Sequence, residues 1–91
     1  MNRARGEVEI QIDGNPHALC LTLGGLAELE AEFACESLAD LQSKLSNLSA
    51  HGMRRVLEIL LVDREAGIEL SHVSPGAAAR AIGDAFHAAL G

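Results

Sequence analysis

Glu7-Val8-Glu9-Ile10-Gln11-Ile12-Asp13, then Gly14-Asn15-Pro16, then His17-Ala18-Leu19-Cys20-Leu21-Thr22-Leu23 is the stretch that decides the fold. The first segment alternates strictly, with Val8, Ile10 and Ile12 on one face and Glu7, Glu9, Gln11 and Asp13 on the other. A period of two with one apolar face is the pattern of a half-buried strand. Gly14-Asn15-Pro16 supplies turn chemistry, and the third segment resumes the alternation with Leu19, Leu21 and Leu23 inward. The spacing predicts a β-hairpin over 7–23. A two-stranded hairpin is marginal in water, so its apolar face must be covered by the rest of the chain. Only helical patterns follow, which predicts a small sheet with open edges and an α+β fold: an N-terminal β-hairpin covered by three to four α-helices in 24–91, with 1–91 forming one domain.

After Gly24-Gly25, Leu26, Leu29 and Phe33 recur at helical spacing, while Glu28, Glu32 and Glu36 form an acidic stripe. Ser37 reads as the N-cap of a short helix over 38–45, with Asp40 at the capping-box position. Ser49 reads as the cap of a third helix running to about Arg64, its inward face Met53, Val56, Leu57, Leu60 and Leu61. On that helix Ile59 and Val62 fall outside the inward arc, so it is either buried on two sides or touches a partner. Ile68 to Val73 reads as a connector. Ser74-Pro75 places a cap before a first-position proline, and the last helix runs to about Leu90. Its inner face is Ala78, Ala81, Ile82, Ala85, Phe86 and Ala89, and its outer face Arg80, Asp84 and His87.

Seven basic against thirteen acidic residues give a net charge of -6 over 91 residues. That sign opposes binding to a phosphate backbone, so no direct nucleic-acid contact is expected. Trp and Tyr are absent, and Phe33 and Phe86 are the two aromatic residues, which removes the usual anchors of interfaces and base stacking. Any interface is therefore aliphatic or electrostatic. The basic start, Met1 to Gly6, passes into the first strand without the apolar stretch of a signal peptide, and Ile59-Leu60-Leu61-Val62 is far too short to cross a bilayer. Two isolated cysteines, Cys20 and Cys35, make no disulfide framework, so a cytoplasmic protein with no membrane partner is expected.

His17, His51, His72 and His87 have no metal-ligand spacing, and no HExxH or CxxC pattern occurs. Cys35 lies among Glu32 and Glu36, which oppose a thiolate. Glu28 and Glu32 share a helix face but belong to no calcium loop. Gly24-Gly25 is not followed by phosphate-loop residues and reads as a turn with close packing. No catalytic residue, metal or cofactor is expected.

The run Asp13-Gly14-x-Pro16-x-x-Leu19-x-Leu21-Thr22-Leu23-Gly24-Gly25-Leu26-Ala27-Glu28-Leu29-Glu30 resembles the opening of a family of small proteins from the tail-gene clusters of gene transfer agents and related phages. Ser37 to Leu41 and Met53 to Leu61 are similar to that family's second and third helices. The resemblance implies a non-enzymatic tail assembly chaperone that binds the tape-measure protein, and possibly the tail tube protein, during tail morphogenesis. Some descriptions of the family imply instead a structural tail tube component. A tube subunit needs substantial sheet, and one hairpin offers little, which favours the chaperone. A small enzyme or metal protein is the remaining alternative. For the partner surface we name Glu28 and Glu32 with Ile59 and Val62, the competing reading of the last two being burial under the final helix. An open hairpin edge is a second route, to a partner strand or to a homo-oligomer.

Overall fold

Asp13 and Gly14 reverse the chain with φ of 51° and 81°, the pair of positive values that gives a two-residue type I′ turn. In the computed structural model, which describes residues 6–63 and 67–91, this turn joins β1 (Glu7–Ile12) to β2 (Asn15–Cys20). The strands are antiparallel, in register from Ile12 opposite Asn15 to Glu7 opposite Cys20. The reversal thus comes earlier than Gly14-Asn15-Pro16, and Pro16 stands in β2 opposite Gln11. In such a hairpin the closing pair is hydrogen-bonded and the next is not, so Pro16 sits where β1 asks no N–H of it.

Leu19 and Leu21 are buried as expected, but Leu23 is 83% exposed. The strand stops at Cys20, and extended Thr22 caps α1 (Leu23–Glu32), its Oγ1 accepting a hydrogen bond from the Gly25 N–H at 3.0 Å. Leu23 is therefore the first residue of a helix and not the last of a strand. Once the period changes from two to 3.6, the inward alternation no longer applies to it. Gly24 and Gly25 lie in the first turn of α1. Gly25 is buried, and a Cβ there would meet Ile59 Cγ2 at 3.9 Å. Leu29 is fully buried, with Leu26 and Phe33 packed beside it. The helix closes through Ala34 at φ 54°, and the Cys35 N–H donates to Glu30 O at 2.8 Å. Lys44 Nζ donates to the Phe33 and Ala34 carbonyls at 2.9 and 3.1 Å, satisfying acceptors that the helix end leaves over.

Ser37 caps α2 (Leu38–Leu45) at the expected place, its Oγ accepting from the Asp40 N–H at 3.1 Å. Asp40 in turn accepts from the Glu36 N–H at 3.3 Å, one residue before the position a capping box uses. Ser49 caps α3 (Ala50–Leu60), which stops before the expected end near Arg64, itself outside the described residues. Leu61 turns extended and bridges Leu19, while the Val62 N–H donates to Ala18 O at 3.0 Å. The outer edge of β2 has unpaired backbone groups, and pairing them while burying Leu61 outweighs another helical turn. The sheet is small, as expected. Its β2 edge is not open, however, because this bridge and the missing N–H of Pro16 block it.

Ser74 caps α4 (Pro75–Leu90), accepting from the Ala77 N–H at 3.1 Å. Ala78, Ala81, Ile82 and Ala85 are buried; Phe86 is half-buried, and Ala89 is exposed where an inner position was expected. The fold is α+β: among the described residues a hairpin is followed by four helices, with α4 packed on β1 and α3. α1 runs antiparallel to α3, since Gly25 lies by Ile59, Glu32 by Arg55 and Phe33 by Gly52. The core between these layers is aliphatic, centred on Leu19, Leu29, Leu41, Val56, Leu57 and Leu60.

Candidate interaction surface

The four positions assigned to a partner surface occupy three separate settings. Glu28 is exposed on α1. Glu32, at the end of α1, accepts a hydrogen bond from Arg55 Nε at 2.9 Å, and Arg55 Nη1 also stands 3.6 Å from Glu58. The hydrogen bond to Glu32, followed by the attraction of both carboxylates, holds the Arg55 guanidinium above its usual range. All three side chains are largely solvated, so this clamp between α1 and α3 contributes under about 1 kcal/mol. Ile59 is 5% exposed and lies in the α1–α3 seam against Gly25. Its side chain is therefore not presented to a partner, and two-sided burial of α3 accounts for its place in the sequence. Val62 is 51% exposed, because it follows the end of α3 and no longer obeys helical geometry.

A different surface emerges where α2, α3 and α4 meet. An open groove of about 450 Å³ is walled by Leu45 and Leu48 on the α2 side, Met53 of α3, and Ile82 and Phe86 of α4. Ala79 and Gly83 leave the α4 wall low, and Gln42 and Ser46 complete the lining. Ser46 Oγ donates to Gln42 O at 3.0 Å, so this hydroxyl is already engaged. Among the described residues no charged side chain lines the groove. Such a site can take an aliphatic side chain or helix turn but offers no group to activate a substrate.

The four histidines lie on separate parts of the fold. His17 lies half-buried on β2 and His51 in the first turn of α3, whereas exposed His87 lies in the last turn of α4. Exposed His72 has Nδ1 3.3 Å from Asp13 Oδ1. Among the described residues, no three His, Cys, Asp or Glu side chains are grouped so that they could hold a metal ion. Cys20 and Cys35 are both thiols outside any disulfide, and Cys35 Sγ contacts Phe33 O at 3.6 Å. Glu69 accepts from the Ser71 N–H at 2.8 Å, and its hydrogen bonding with Ser71 holds its carboxyl below the ordinary glutamate range. No helix among the described residues is long and apolar enough to cross a membrane.

Residues 5–91 match the protein family described as phage tail tube protein, GTA-gp10. The chain belongs to this family. No curated protein and no solved structure matches it. Membership in the GTA-gp10 family places the chain among structural phage and gene transfer agent tail proteins, not in a known enzyme family. The description fits the tail tube alternative better than the chaperone reading that the sequence favoured. That preference rested on the resemblance, with the small amount of strand in support. Sequence reading also missed the groove. Its signal was the small pair Ala79 and Gly83 flanking Ile82 and Phe86 on one helix, which identifies a low wall only once α2 and α3 are placed beside it.

Proposed function

We propose that this protein is a structural component of the tail tube of a phage-like particle, with other tail proteins as its partners. The family match over residues 5–91 carries this reading. The molecule's chemistry supports it: an aliphatic core, an uncharged groove and dispersed histidines suit a body that works through contacts and not through turnover. Assembly takes place in the cytoplasm, without cofactor or nucleic-acid contact, the charge of -6 keeping free subunits dispersed beforehand. The decisive test is the composition of purified particles. A tube component is retained at many copies per tail, in fixed ratio to the other tail proteins, whereas its absence from finished particles overturns the reading.

One observation favours a second reading. Among the described residues the sheet has only two strands, little material for the wall of a tube. On this reading the protein is an assembly chaperone for the tape-measure protein: Glu28, Glu32 and Val62 make the contact, and Ile59 fixes the α1–α3 seam beneath them. It would then be abundant in lysates, missing from finished tails, and needed for a co-expressed tape-measure fragment to stay soluble.

A further inference from the structure

The two edges of the hairpin differ. Ala18 O accepts the Val62 N–H at 3.0 Å, so the backbone groups of Ala18 point away from β1 and the outer edge of β2 is occupied. Glu9 stands opposite Ala18, and Gln11 opposite Pro16. Both belong to pairs without mutual hydrogen bonds, so their N–H and C=O groups point outward along the other side of β1. Among the described residues no backbone hydrogen bond from another element reaches Glu9 or Gln11. α4 packs on β1, yet both residues remain exposed. The α4 flank turned away from the groove carries Ala77 and Ala88, both exposed and about three turns apart. An added Cβ on Gly6, just before β1, would lie 3.7 Å from Ala88 O, which sets this flank beside the strand. Its small side chains leave a shelf on which one more strand can lie.

We propose that the outer edge of β1 takes up an extended segment of a different protein, which adds as a third strand and sets basic side chains against Glu9. A strand edge offers hydrogen bonds to any extended chain, so charge decides which one is admitted. From Gly6 to Ser43 the chain has no Lys or Arg. Glu7, Glu9 and, at the turn, Asp13 give the solvent face of β1 its sign. Gln11 Nε2 donates to Glu9 Oε2 at 2.7 Å, which holds that carboxylate along the strand without neutralising it. α4 adds Arg80 and Asp84, whose charges offset. A second copy is refused: fully overlapped and antiparallel, two β1 strands would set Glu9 opposite Glu9, and like charges directly opposed destabilise a pair. Lysine or arginine at that place makes the same pairing attractive. Apolar side chains at the alternate positions of the segment then rest on the alanine shelf of α4. This edge offers the same contact whether or not finished particles retain the protein.

An end-blocked peptide of about eight residues alternating lysine and valine, long enough to span β1, tests this against the full chain in nuclear magnetic resonance titrations. Saturable binding is expected with a Kd below about a millimolar, weakening as salt rises, and with amide exchange slowed at Glu9 and Gln11. The same peptide N-methylated on its lysine amides keeps every charge but loses the ladder, and should bind at least about tenfold less tightly. Glu9→Lys changes an exposed side chain, so far-ultraviolet circular dichroism should stay unchanged. The lysine peptide should then bind at least about tenfold less tightly, while a peptide alternating glutamate and valine gains affinity. No saturation up to about millimolar peptide overturns the proposal. So does equal binding of the N-methylated peptide, which would mean attraction without a strand. Perturbation of the groove lining in place of the β1 edge, or a Glu9→Lys chain that binds as the wild type does, overturns it as well.

Discussion

Leu19→Ala and Leu23→Ala remove the same atoms from two positions that strand alternation treats as equivalent. In the structure Leu19 is 0% exposed, opposite Val8 on β1 and bridged to Leu61. Backbone pairing on both sides holds its neighbours apart, so a truncated side chain leaves a cavity that does not collapse. Leucine-to-alanine changes at such sites cost about 3 kcal/mol or more. A domain of this size has roughly 5–14 kcal/mol in total, and each kcal/mol moves Tm by about 4–8 °C, so a fall of about 12–24 °C is expected. Leu23 faces solvent at the first position of α1, where alanine is as good a helix former, so its truncation should change stability by less than about 0.5 kcal/mol. Urea titrations followed by circular dichroism measure both. Equal losses for the two variants would refute the placement of the strand-to-helix switch at Thr22.

Ser74→Ala removes the acceptor for the Ala77 N–H, and thermal melts should show a loss of about 1 kcal/mol, largely recovered by Ser74→Gly. Glu69 has a folded-state pKa below its unfolded value through its hydrogen bonding with Ser71; its stabilisation is fully present above the unfolded pKa and is lost as pH falls through the folded one. The stability gap between wild type and Glu69→Gln should therefore be constant near neutrality and vanish in acid, and a gap that widens in acid would contradict the assignment. A double-mutant cycle on Glu32 and Arg55 should give a coupling below about 1 kcal/mol that shrinks with salt; a larger, salt-insensitive coupling would mean that the clamp is shielded from solvent.

Part of the local chemistry in the chain was legible on its own. Ser37, Ser49 and Ser74 act as caps because a side-chain oxygen reaches an N–H three residues on, which requires nothing from elsewhere in the fold. The errors of boundary have two sources: the turn at Asp13-Gly14 and the Thr22 cap are local signals that the strand alternation overrode, whereas the edge of β2 draws Leu61 and Val62 out of α3 from far along the chain. The early end of α3 also separates Ile59 from Val62, which helical geometry had put together. In the structure one is inside the α1–α3 seam and the other is in solvent.

The sequence by itself determined the hairpin, a run of three to four helices, the Ser37, Ser49 and Ser74 caps, most of the apolar faces and an acidic body. All of these follow from short-range periodicity and single side chains. Tertiary structure alone decided which strand edge is blocked, that Gly25 admits Ile59, and that three helices leave an uncharged groove. Those outcomes depend on distances between residues far apart in the chain, and such distances are set by how the layers close, not by the pattern within any one of them.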